Sequence, residues 1–215
     1  GLRDVYIDRT ESSFIDGKAG KLLYRGYNIH DLAENSTFEE TSYLLLHGSL
    51  PTRPQLAEFT ATLKSHRTLP EYILEIINLT KDAHPMDVLR NALSAMSTSA
   101  LDELDRSPES TLREGIRLTA AAPTILAAHD RIRKGKTPVS PNGDLNHAGN
   151  LLYMLFNKLP DTRDSDLINK DFVLHAEHGV NASSFAARVT ASTLADLHGA
   201  VVTGISTLKG PLHGG

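Results

Sequence analysis

Apolar and polar positions change their period once along the chain. Over residues 12–25, "SSFIDGKAGKLLYR", apolar Phe14–Ile15 and Leu22–Tyr24 flank Asp16-Gly17 and Gly20. Those residues supply turn chemistry, so the stretch predicts a β-hairpin. After it the spacing becomes helical. "NIHDLAEN" and "TFEETSYLLLHG" predict two short helices, the second ending at Gly48. "TRPQLAEFTATLKSHR" predicts a third, with Thr52 as N-cap and Gln55 as its capping-box partner. Pro70 opens "PEYILEIINL", where a first-turn proline forfeits no hydrogen bond.

Two long helical segments follow, "HPMDVLRNALSAMSTSALDEL" and "ESTLREGIRLTAAAPTILAAHDRIRKG". Both are apolar over a wide stripe, as expected of helices packed on more than one side. Pro123 lies inside the second and predicts a kink or break there. "TPVSPNG" reads as a loop, and helices resume with "DLNHAGNLLYMLFNKL", then about 162–178, then about 184–208. No internal repeat or low-complexity segment interrupts this pattern. The predicted class is all-α with one small N-terminal β-hairpin.

Composition narrows the function classes. A length of 215 residues suffices for a sizeable core, and 40% hydrophobic with 22% charged residues is ordinary for a globular protein. A net charge of −4 gives no electrostatic reason to expect nucleic acid. The basic cluster Arg131, Arg133, Lys134 and Lys136 falls where a helix ends, so interaction with the helix dipole explains it. The absence of cysteine excludes disulfides, thiolate zinc sites and thiol catalysis. No apolar run reaches the roughly 18 residues that a membrane helix needs, and the first residues show no signal-peptide pattern. The expectation is a cytoplasmic protein without a membrane partner. There is no GxGxxG, no P-loop and no GxSxG, since "GISTL" at 204–208 lacks the final glycine.

The remaining candidates are three histidines. A helix over 162–178 would place Leu167, Asp171, Leu174 and His178 on one stripe, with Ile168, Phe172 and His175 beside it. Gly179 can end that helix in a left-handed conformation, and Asn181 or Ser183 can cap the next. The result is a polar corner of His175, Glu177, His178, Asn181, Ser183 and Ser184. A corner that only satisfies its own backbone would look the same. Metal binding is a rival, but "HAEH" has neither the spacing nor the adjacent Glu of the zinc-protease motif, and no metal is expected. The third histidine is framed differently. Leu194, Leu197, Val201, Ile205 and Leu208 share one helical face, Lys209 falls in the last turn, and Gly210-Pro211 stops the helix. His213 then lies on a loop between glycines, where a ligand can approach closely and an imidazole can donate a hydrogen bond or move a proton. A loop histidine facing water is the plain alternative.

"HAEHGVNASSFAARV", "STLADLHGAV" and "LKGPLHGG" together resemble the citrate synthase family. So do "SFIDGKAGKLLYRGYNIHDLAENSTFEETSYLLLHGSLP" and "AHPMDVLRNALSA", and the five blocks stand in the family's order. The likeness is to the bacterial and archaeal branch, which includes 2-methylcitrate synthases. The resemblance implies a mostly helical homodimer in which each subunit has a large and a small domain. Its reaction joins acetyl-CoA, a substrate, to oxaloacetate and releases CoA without a metal or redox cofactor. By the same resemblance His213 hydrogen-bonds the thioester carbonyl oxygen, His178 binds oxaloacetate, and Ser183 orients the catalytic imidazole. His175 matches a family position but takes no catalytic role.

In the family the chain continues past GPLHGG, with a catalytic aspartate, a third histidine, substrate-binding arginines, most CoA contacts and the small domain. Residues 1–215 would then be most of the large helical domain, and inactive alone. Two alternatives accompany the leading reading: a 2-methylcitrate synthase using propionyl-CoA, and an inactive fragment serving as a helical dimerisation module through the stripes at 85–105 and 109–134. The enzymatic reading asks that His178 and His213 share a cleft rather than face bulk solvent.

Overall fold

The computed structural model describes residues 9–100, 105 and 107–214. Three antiparallel strands come first, β1 (Ser13–Asp16), β2 (Lys21–Tyr24) and β3 (Tyr27–Asn28), in the order β1-β2-β3 with Ser13 opposite Tyr24. The hairpin forms as its turn chemistry requires. Asp16 Oδ1 accepts the N–H groups of Lys18 and Ala19, both at 3.0 Å, and Gly20 takes φ +62°. The short β3 extends the hairpin to a small sheet.

Ten α-helices follow among the described residues. The first four are α1 (Ile29–Asn35), α2 (Phe38–His47), α3 (Arg53–Ser65) and α4 (Glu71–Leu79). Thr37 and Glu40 cap α2 reciprocally, Thr37 Oγ1 accepting the Glu40 N–H at 3.2 Å and Glu40 Oε2 accepting the Thr37 N–H at 2.9 Å. At α3 the Thr52 N–H and hydroxyl both donate to Gln55 Oε1, at 2.9 and 2.8 Å. Pro70 sits one position before α4, as its N-cap.

Helix α5 (Pro85–Ala95) is shorter than its apolar stripe predicts, tightening into a 3₁₀ turn over Met96–Ser99. The hydroxyls there explain the early end: Thr98 donates to the Ala95 carbonyl at 2.9 Å and Ser99 to that of Met96 at 3.3 Å, competing with the helical ladder. The predicted continuation over 101–104 lies outside the described residues. Helix α6 (Pro108–Arg133) runs unbroken through the buried Pro123. The proline removes one intrahelical donor, and burial of Ala121 and Ile125 on either side holds the helix together.

Helices α7 (His147–Phe156) and α8 (Thr162–His175) pack together, as do α9 (Ala182–Ser192) and α10 (Leu197–Leu208). The helix predicted over 162–178 stops at His175, so His178 is not on its stripe. The helix predicted over 184–208 is two helices. Leu194, expected on the apolar face, has φ +63° and is 75% exposed, and Asp196 then caps α10 by accepting the Gly199 N–H at 2.8 Å.

The main core joins Ile73 and Ile77 of α4, Val88, Ala92 and Leu93 of α5, and Leu118, Ala121 and Ile125 of α6, with Leu197, Val201 and Ile205 of α10 packed against them. The apolar stripes of α5 and α6 are thus largely used within the chain. A second cluster ties Tyr24, Ile29, Leu32 and Leu44 to Val173 of α8. It brings the N-terminal sheet beside the end of α8.

Candidate active site

Helix α8 ends where tertiary hydrogen bonds take over its last backbone groups. The buried Tyr24 hydroxyl donates to the Leu174 carbonyl at 3.0 Å and accepts the Glu177 N–H at 3.2 Å. Burial pushes the pKa of this phenol up. Glu177 Oε1 accepts the Ser13 hydroxyl at 2.9 Å and the Gly179 N–H at 2.7 Å, and Gly179 turns with φ +65°. The bend carrying His178 is therefore fastened to β1 and β2. His178 itself is exposed. His175 remains at the helix end, with Nδ1 2.8 Å from the Asp171 carbonyl and the side chain 77% exposed.

Asn181 caps α9. Its Oδ1 accepts from the Ser184 N–H at 2.9 Å, the Ser184 hydroxyl at 3.0 Å and the Ser183 hydroxyl at 2.6 Å. The other end of the site comes from α10. Lys209 Nζ donates to Asp87 Oδ2 at 2.5 Å, tying the end of α10 to the first turn of α5, and this bond holds the Asp87 carboxyl below the usual carboxylate range. Past Lys209 the chain turns tightly: the His213 N–H donates to the Gly210 carbonyl at 2.9 Å and the Gly214 N–H to that of Leu208 at 3.1 Å. A Cβ at Gly214 would meet Leu208 Cδ1 at 2.7 Å, so a larger residue there would have to displace the end of that side chain.

This turn sets His213 Nε2 3.0 Å from Ser183 Oγ. The two residues singled out from separate motifs meet, and Asn181, Ser183 and His213 form a hydrogen-bonded line. A protonation question follows from it. Oδ1 of Asn181 only accepts, so a Ser183 proton directed there leaves His213 Nε2 to donate and Nδ1 to accept. Turning the Ser183 proton to Nε2 puts the ring hydrogen on Nδ1, free to point at another acceptor.

His178 and His213 are both exposed, short of the shared cleft that the sequence reading asks for. A cleft of about 360 Å³ opens beside the corner, lined in part by Phe38, Phe59, Ile116, Ala176 and Glu177, but by neither His178, Ser183 nor His213. Tyr24 and Ser13 are the residues sequence reasoning missed. The apolar residues and turn chemistry around them mark a hairpin, but no local signal announces a partner more than a hundred positions away. Among the described residues no group of three or more His, Asp or Glu side chains could hold a metal ion, and no helix is long and apolar enough to cross a membrane.

The family model described as "Citrate synthase, C-terminal domain" matches residues 1–215. The chain is 45% identical over 220 residues to a citrate synthase of Haloferax volcanii, covering all of this chain and 58% of the relative. It is 42% identical over 221 residues to 2-methylcitrate synthase 2 of Corynebacterium glutamicum, again covering all of this chain and 58% of the relative. Among solved structures, citrate synthase from Pyrobaculum aerophilum superposes with a TM-score of 0.94 at 43% identity, over all of this chain and 56% of that one. The citrate synthase of Thermoplasma acidophilum in ternary complex with carboxymethyl coenzyme A and oxaloacetate gives 0.92 at 27% identity, over 99% and 56% of the two chains. The chain thus spans a little over half the length of the relatives it matches.

Proposed function

Because the chain belongs to the citrate synthase family, we propose that the protein containing it condenses acetyl-CoA with oxaloacetate and water to give citrate and CoA. The observation that carries this reading is the meeting of Ser183 with His213 on its glycine-framed turn. Removal of a proton from the acetyl methyl group moves negative charge onto the thioester oxygen. A fixed donor at that oxygen stabilises the charge where it develops. His213 fills this role as the neutral imidazole with hydrogen on Nδ1, which requires Ser183 to donate to Nε2. His178, on its braced bend, binds the keto-diacid. Support for both substrates comes from the Thermoplasma acidophilum relative, whose complex holds a CoA analogue and oxaloacetate. No metal or redox cofactor enters this chemistry; acetyl-CoA is a substrate.

Residues 1–215 are read as most of the large helical domain, with the small domain and further helices after them. The exposure of His178 and His213 fits a half-site whose other wall those parts supply. On this reading the 215-residue piece alone does not turn over, and the complete protein is a homodimer of the cytoplasm. Light scattering of the purified protein tests the dimer.

The decisive experiment is citrate formation by the complete protein and its His213→Ala variant. Loss of the donor should cost about 3–4 kcal/mol in the chemical step, measured in single turnover. Near-normal turnover overturns the assignment. A second reading, 2-methylcitrate synthesis from propionyl-CoA, is favoured by the 42% identity to the Corynebacterium glutamicum enzyme. One methylene is worth only about 1–3 kcal/mol of discrimination, so kcat/KM for the two acyl-CoAs decides between them.

A further inference from the structure

We infer that Tyr24 and Glu177 are positioning residues for oxaloacetate binding, acting through the bend that presents His178. The inference rests on the proposed role of His178 and adds residues that the motifs leave without a task.

Between the end of α8 and the cap of α9, residues 176–180 belong to no helix, so nothing periodic fixes where His178 points. Four hydrogen bonds from side chains supply what the helix does not. The Tyr24 hydroxyl holds the Leu174 carbonyl and the Glu177 N–H, at 3.0 and 3.2 Å, on one side of the bend. Glu177 Oε1 holds the Gly179 N–H at 2.7 Å on the other side and is itself anchored by Ser13 at 2.9 Å. His178 is the residue between these two held amides. The phenol is fully buried, so water cannot replace the hydroxyl once it is removed. Ile15 Cδ1 would contact a Cβ built on Gly179 at 3.5 Å, so the sheet also packs directly on the bend. Small displacements of a binding group weaken substrate interactions out of proportion to the bonds lost, which makes such bracing consequential.

The bonds to Glu177 require an acceptor oxygen at this position. Glu177→Gln retains that oxygen, whereas Glu177→Ala removes it. Tyr24→Phe deletes the hydroxyl and leaves the ring in place.

The test uses the complete protein and two readouts: the oxaloacetate dissociation constant by calorimetry, and amide hydrogen exchange at Glu177 and Gly179, which needs no substrate. Tyr24→Phe and Glu177→Ala should each raise the oxaloacetate Kd by about 3- to 10-fold, the equivalent of one net hydrogen bond, and accelerate exchange at the amide released. Glu177→Gln should stay near wild type in both. A merely structural role would lower thermal stability without changing the Kd of the folded protein, and that result overturns the inference. So does equal weakening by Gln and Ala at 177, which would make the charge rather than the bond responsible. If Tyr24→Phe does not fold, the Glu177 pair decides by itself. A wild-type protein with no affinity for oxaloacetate overturns the functional reading and this inference's substrate half together, whereas unchanged exchange with normal wild-type binding overturns the brace alone.

Discussion

His147 shows how a single buried side chain sets a pH limit on the fold. It opens α7, stacks on Phe38 with ring centroids 4.7 Å apart, and is 3% exposed. Burial, with the nearby Arg67 charge adding to it, lowers its pKa from 6.5 to about 3. Above pH 6.5 the ring is neutral in folded and unfolded chains, and its contribution to stability is complete. As pH falls from 6.5 toward 3 the unfolded chain binds a proton that the folded chain refuses, so stability is lost through that window. From one pH unit being worth about 1.4 kcal/mol, the loss attributable to His147 between pH 7 and pH 4.5 should be about 2–3 kcal/mol. Urea titrations at the two pH values should show a shallower decline for His147→Gln than for wild type. At the same scale the sequence was informative about His213, because glycines and a helix stop frame it. It was silent about Tyr24, whose partners are Leu174 and Glu177. A local pattern records which face of a strand is buried, not what a buried hydroxyl will meet.

Element boundaries divide into those set locally and those set at a distance. The start of α2 was readable because Thr37 and Glu40 satisfy each other within one turn. Thr37→Ala should therefore cost about 1 kcal/mol in chemical denaturation. The end of α8 was not readable, since the groups that divert Leu174 and Glu177 come from β2. The division of α9 from α10 was in principle legible: Asp196 three residues before Gly199 is a cap signal, but the apolar run around it favoured one continuous helix. At the end of α10, Gly214→Ala would force the new methyl against Leu208. Rotation of the Leu208 side chain should accommodate it, so the expected effect is a retained His213–Ser183 proximity in the imidazole NMR signals, with the thermal midpoint little changed.

For the molecule as a whole, the main core is assembled from α4, α5 and α6 and completed by α10, which is distant in sequence. Ile125 is fully buried at that junction, and Ile125→Ala should destabilise by about 2–5 kcal/mol through lost burial and the cavity left behind. Circular dichroism and tyrosine fluorescence should record one shared shift of the unfolding curve, because α10 packs on the same core as α4, α5 and α6. Separate transitions would contradict that. The all-α class and the order of helices, apart from the merging of α9 with α10, followed from periodicity, whereas the convergence of α10 on α4–α6 depends on side-chain fit, which periodicity does not encode.

The brace between the opening strands and the bend before α9 also has a consequence for biosynthesis. Ser13 and Tyr24 leave the ribosome long before Leu174, Glu177 and Gly179 exist. The nascent hairpin therefore waits with a phenol that has no carbonyl to meet until the chain has grown past Glu177. A released, truncated product ending before residue 174 should be degraded faster than one reaching residue 180, although the two differ by only a few residues of chain.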